Sequence, residues 1–235
     1  REIIWLLNLH NDNIEKAIVY FAFTPEEKGW KGVILYNSVA GNYTPIDETK
    51  TQSIIGKCLN ILGGAKAHIF DYKNKLKIFF DLDISEKITT VTKEELYLGL
   101  NYALVGNEII QFEIIELQED GNYIIKNLLR GLFGTEKYIE THTEGEDFIF
   151  INKGLRSKTF DDGKIGITTQ YKAVSIGTDF YSADTVNYTI TGKNLKPLPP
   201  VHLKIDKLNK KITWKRRERG YAGWRDGVDL PIIDK

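Results

Sequence analysis

Short runs of β-branched and aromatic residues, each five to ten long and closed by Gly, Asn or Asp, constrain this chain more than any other feature. They are Ala17–Phe23, Gly32–Asn37, Leu76–Ile84, Glu108–Leu117, Tyr123–Leu128, Asp147–Asn152, Gln170–Ile176 and Val186–Thr191. Runs of that length and composition favour strands over helices. Gln118-Glu119-Asp120-Gly121-Asn122 separates two of them and predicts a hairpin. Ala40-Gly41-Asn42 and Asp161-Asp162-Gly163-Lys164 are similar turn signals. Two short helices are expected, at Lys50–Leu62, stopped by Gly63-Gly64, and at Glu94–Ala103. The fold class is therefore mainly β, with two β-sandwich or β-barrel-like domains and minor helix.

Composition narrows the function. Lys plus Arg and Asp plus Glu are equal at 32 each, so no global field draws the chain to nucleic acid or anionic lipid. No apolar stretch is long enough to span a bilayer as a helix, so no membrane insertion is expected. Cys58 is the only cysteine, which excludes an internal disulfide and reads as a small buried hydrophobe. The first residues lack the layout of a signal peptide, and the chain has no Met, so it is expected to be cut from something larger.

Residues that carry chemistry are scattered. His10, His68, His142 and His202 share no metal-ligand spacing, so no metal site is expected. Asp81 and Asp83 fall on one face of an expected strand, a spacing open to glycosidase chemistry, but a solvated face is the favoured reading. Asp71-Tyr72-Lys73-Asn74 lacks the Gly and Glu of a calcium loop. No phosphate loop, dinucleotide fingerprint or nucleophile elbow appears, so neither an enzyme nor a cofactor is expected. Lys210–Arg219, interleaved with Trp214, reads as a core-facing strand before a nucleic-acid stripe. Trp30, Tyr36, Tyr43 and Trp224 leave a carbohydrate-binding module as the alternative.

The most distinctive stretch is Leu128-Leu129-Arg130-Gly131-Leu132-Phe133-Gly134-Thr135, followed by His142 and Gly145. On its face it is a structural loop, whose paired glycines suit φ > 0 and whose Arg130 bonds across the turn. Together with Asn101–Phe112, it resembles the large tail hub protein of gene transfer agents and the related phage host specificity proteins. A looser version, with Arg130, Gly131, Gly134, Thr135, His142 and Gly145 in place, is similar to lambda-type tail-tip attachment proteins. The resemblance continues through Thr191–Leu203, with Lys196-Pro197-Leu198-Pro199-Pro200 as a linker, then Ile212–Arg217 and Trp224.

The resemblance implies a structural component of a phage-like tail tip or baseplate hub, placed on the virion tail tip after assembly in the bacterial cytoplasm. Its implied partners are other tail proteins in a homotrimer of the full-length protein, and host surface glycans. The implied division is a β-rich hub domain at 1–95, a second carrying the Arg-Gly-x-x-Gly-Thr signature at 96–196, and a linker with a truncated fibronectin-III-like start at 197–235. Trp214 is the expected core residue of that last module.

Overall fold

The structure is a computed structural model that describes residues 16–24, 29–67, 69–196 and 198–215. His10, His68, Pro197 and the stretch 216–224, with Trp224, lie outside the described residues. The strands are β1 (Ala17–Phe21), β2 (Val33–Val39), β3 (Asn42–Thr49), β4 (Ile55–Cys58), β5 (Phe70–Asp71), β6 (Leu76–Phe80), β7 (Tyr102–Val105), β8 (Glu108–Leu117), β9 (Tyr123–Leu132), β10 (Asp147–Phe150), β11 (Arg156–Phe160), β12 (Thr168–Ser175), β13 (Thr185–Thr189), β14 (Val201–Asp206) and β15 (Lys211–Lys215). One short helix, α1 (Lys93–Tyr97), precedes β7. The fold is mainly β, as the patterning predicts.

Six strands close on themselves in the order β9-β6-β4-β10-β7-β8, with β8 returning to β9 and β5 pairing β9 on the β6 side, beyond the end of β6. All their pairings are antiparallel. The barrel is filled by side chains. Cys58, Leu76, Ile78, Ala103, Val105, Ile110, Phe112, Ile125, Leu128, Phe148 and Phe150 form one buried cluster, the packed interior expected of a small barrel. The Gln118–Asn122 turn joins β8 to β9 as predicted, with Leu117 opposite Tyr123.

The remaining early and late strands build a second unit around the barrel. A four-stranded sheet, β13-β12-β2-β3, packs against the pair β1-β11 over Val19, Phe21, Val33, Leu35, Tyr171 and Ala173. Its β2–β3 hairpin turns at Ala40 (φ 51°) and Gly41 (φ 84°), the two left-handed residues of a tight hairpin turn. The barrel is thus inserted between β3 and β11. Strands on both sides of residue 95 share the barrel, so the expected 95/96 division runs through it. The strands of the other unit come from 17–49 and 156–189, pairing across the insertion. Ala22, Ile55, Leu104, Ile109 and Ile149 join the two units in a third buried cluster.

Three local expectations are corrected. Lys50–Leu62 is not helical: Ile55–Cys58 is β4, and a Cβ on Gly56 would sit 2.6–2.8 Å from Ile78, Phe79 and Phe80. Close packing on β6 and the poor helix propensity of Gly override the apolar spacing. The second helix is shortened to Lys93–Tyr97 and fixed by a capping box between Thr92 and Glu95; Tyr102 and Ala103 belong to β7. Asp81 and Asp83 lie beyond β6, both exposed, and Asp83 instead accepts from the Ser85 amide at 2.9 Å.

After the second unit, β14 and β15 pair as a two-stranded sheet by themselves. Leu203, Ile205, Ile212 and Trp214 are more than half exposed there. The expected core role of Trp214 is therefore not filled among the described residues: it is 55% exposed, because no second sheet covers the pair.

Candidate functional site

Strand alternation places charge at one end of the barrel. Ile110 and Phe112 of β8 point inward, and so, two residues earlier, does Glu108. Leu128 of β9 points inward, and Arg130 follows it with the same parity. Phe148 and Phe150 of β10 point inward, and Glu146 precedes them in step. The apolar interior therefore ends in a layer of Glu108, Arg130 and Glu146.

Arg130 and Glu108 are both fully buried. The guanidinium clasps the carboxylate bidentately, with Nε 2.9 Å from Oε1 and Nη2 2.8 Å from Oε2. Nη1 donates to Gly63 O at 2.9 Å and to Asp71 Oδ2 at 3.2 Å, and Nη2 reaches Ile139 O at 3.4 Å. One side chain thus ties β8, β5 and two connecting segments to β9. The planar fork suits this work, since its donors are fixed in direction.

A bulge makes room. Ile109 opposes Leu132 while Gln111 opposes Leu129, so Arg130 and Gly131 together face Ile110. Gly131 is left-handed (φ 63°), and its amide donates to Glu108 Oε1 at 2.6 Å. A Cβ there would stand 2.9 Å from Glu136 Cα and 2.8 Å from Ile139 Cδ1. The Arg-Gly pair is therefore part of a strand, not the loop expected from its glycines.

His142 completes the layer from the segment before β10. Its Nε2 lies 2.6 Å from Glu108 Oε2 and its Nδ1 2.7 Å from Glu146 Oε2. Ionised carboxylates only accept hydrogen bonds, so a ring facing two of them donates from both nitrogens as imidazolium. Burial opposes that charge, but the hydrogen bonds to Glu108 and Glu146 prevail and hold its pKa above the ordinary value. Burial likewise pushes Glu108 upward, and His142 and Arg130 outweigh it to leave the carboxyl below its usual range. For Asp71, burial is offset by the Asn74 side chain, the Asn74 and Lys73 amides and Arg130, with the same downward result. Cys58, one layer in, is pushed up to about 12 by burial and then by Glu146 and Asp147.

The other signature residues serve the ends of this layer. Thr135 Oγ1 accepts from the Ile109 amide at 3.0 Å and donates to Leu132 O at 2.7 Å. Gly145 (φ 80°) donates its amide to Cys58 O at 3.0 Å, carrying the chain into β10. Gly134 forms the turn after β9. Arg130, Gly131, Thr135, His142 and Gly145 are thus gathered around one barrel end, and Trp214 lies apart on the C-terminal pair. Glu108, Glu146 and Asp71 are partners the sequence reading did not select. Among the described residues, no group of three or more His, Cys, Asp or Glu has a geometry that holds a metal ion. Of the aromatics considered for sugar binding, the three that are described are engaged: Trp30 packs on the second unit's core, and Tyr36 and Tyr43 meet the Phe180 ring edge-on at 5.1 and 5.4 Å.

The barrel is also the part of the chain that comparison recognises. Residues 53–149 match the family model "Rcc01698-like, C-terminal". That span begins two residues before β4 and ends within β10, so it encloses Glu108, Arg130, His142 and Glu146. No curated protein matches the chain.

Proposed function

We propose that this chain is a structural segment of a phage-like tail-tip hub, of the gene transfer agent kind, that links the tail tube to host-recognition parts. The observation that carries this reading is that the charged residues of the tail-hub signature, Arg130 and His142, meet buried Glu108 in one ionic layer at a barrel end, where Gly131, Thr135 and Gly145 also gather. Such a layer is a scaffold device. Arg130, Glu108 and His142 side chains are at most 2% exposed, and each is turned to another member of the layer. An assembly role in a homotrimeric hub asks for a rigid module of this kind, with symmetric neighbours covering open strand edges.

The test is location. Gold-labelled antibodies against this chain, applied to phage-like particles from cells that carry its gene, are expected to mark the distal tail end. Mass measurement of the full-length protein is expected to give a trimer. Labelled heads, unlabelled particles or a full-length monomer would each overturn the reading.

A further inference from the structure

The Pro-rich stretch before β14 reads in sequence as a free spacer, yet both of its ends are fixed. At its start, Gly192 (φ 56°) opens a 3-10 turn over Lys193–Leu195. Asn194 is buried there, and its carboxamide behaves as a one-residue strand on the outer edge of β1. It accepts from the Ile18 amide at 3.1 Å and donates to Lys16 O at 2.9 Å. Leu195 packs against the core of the same unit. Four residues past Asn194, Leu198 reaches the barrel. A Cβ on Gly134 would lie 2.8 Å from Leu198 Cδ2 and 3.9 Å from Pro199 Cδ, so the leucine occupies the space the glycine leaves.

The seat under Leu198 is itself rigid. Phe133 (φ 54°) and Gly134 (φ 84°) form a turn with both central residues left-handed, closed by the Thr135 amide on Leu132 O at 3.2 Å. The Thr135 hydroxyl then pins that turn to β8 through the Ile109 amide. Beyond the seat, Pro199 and Pro200 restrict the backbone leading into β14.

From these contacts we infer that the described residues 192–196 and 198–200 act as a strap, clamped to β1 at one end and to the Phe133–Gly134 turn at the other, which sets the direction of the C-terminal hairpin relative to the barrel. Gly134 is a docking residue in this view: it is small because a side chain of the strap must lie on it. The inference concerns the chain alone and stands apart from the particle in which the chain works.

Paired spin labels on the full chain test it. Cysteines at Glu119→Cys, on the β8–β9 turn, and Asn209→Cys, on the β14–β15 turn, are both exposed. The native Cys58 is buried with its thiol pushed up to about 12, and does not compete for label. A single narrow distance distribution is expected in the otherwise unchanged chain. Leu198→Ser is expected to broaden it and to speed tryptic cleavage after Lys193 by about tenfold, as local opening becomes easier. Thermal melting of the barrel is expected to stay the same, which separates a lost strap from a lost fold. A distribution already broad in the parent overturns the inference, as does a Leu198→Ser chain with unchanged distances and cleavage.

Discussion

Replacing Arg130 by alanine leaves buried Glu108 and Asp71 facing each other's field without their shared counterion. Removing one partner of a buried pair costs about 3–5 kcal/mol, and urea unfolding of Arg130→Ala is expected to show a loss of that size. Arg130→Lys does not rescue it, because one ammonium cannot reach Gly63 O, Asp71, both Glu108 oxygens and Ile139 O at once. The pH dependence follows from the same groups. His142 has a raised pKa in the fold, so its contribution is complete below the ordinary value of 6.5 and is lost as pH rises through the higher folded value. Glu108 and Asp71 are depressed, so theirs is present above the ordinary 4.5 and 3.8 and is lost as pH falls through the lower folded values. A stability profile with an acid and an alkaline shoulder is expected, and His142→Gln is expected to remove the alkaline one. A His142→Gln profile that still falls above neutrality would contradict this. Part of the layer was legible in sequence. The hairpin turn at 118–122 sets β8 against β9, and regular counting from Leu117 opposite Tyr123 puts Arg130 opposite Ile110, one step along the face from Glu108. Asp71 was not legible, because its approach depends on β5 pairing with β9 at Leu128 and Leu129, a contact across about sixty residues that no local pattern encodes.

At the scale of elements, glycine positions separate backbone strain from crowding. Gly131 and Gly145 are both left-handed, at φ 63° and 80°. An added Cβ at Gly145 meets nothing within 4 Å, whereas at Gly131 it strikes the Glu136 backbone and Ile139. Alanine at either is expected to cost at least about 1 kcal/mol through the backbone alone, with Gly131→Ala clearly the worse in denaturant melts. Equal losses would show that the bulge relaxes around the methyl. The strands that escaped the sequence reading did so for separate reasons. β4, β5 and β7 are only two to four residues long, too short for a period of two to declare itself. β11 reads Arg-Ser-Lys-Thr-Phe, a strand defined by its pairing with β1 more than by apolar content. β3 carries Pro45, which argues against a central strand, and it lies at the edge of its sheet. The long runs, by contrast, were read closely: Glu108–Leu117 is β8 to the residue.

The whole molecule divides by insertion, with the barrel set inside a second β unit, and each part has its own buried cluster. A fragment spanning 51–152 is expected to fold alone, with a cooperative melt and the barrel's protection pattern in hydrogen exchange. A fragment without a cooperative melt would show that the third cluster, at the junction, is needed for folding. Trp214→Ala, by contrast, is expected to change stability by no more than about 0.5 kcal/mol, as for other exposed positions. The division is hard to see in sequence because the outer unit is discontinuous: β2 pairs with β12 across more than a hundred residues. Composition does not shift at either junction, since both parts are built from the same kind of strand.

One hydroxyl marks where the insertion begins and ends. Ser53 Oγ accepts from the Phe23 amide at 3.0 Å and donates to Gly154 O at 2.8 Å, while the Ser53 amide reaches Phe23 O at 2.8 Å. Entry and exit of the barrel therefore share a single gate, closed onto the segment that follows β1. An insert of the same end-to-end spacing is expected to replace the barrel without re-pairing a strand of the outer unit.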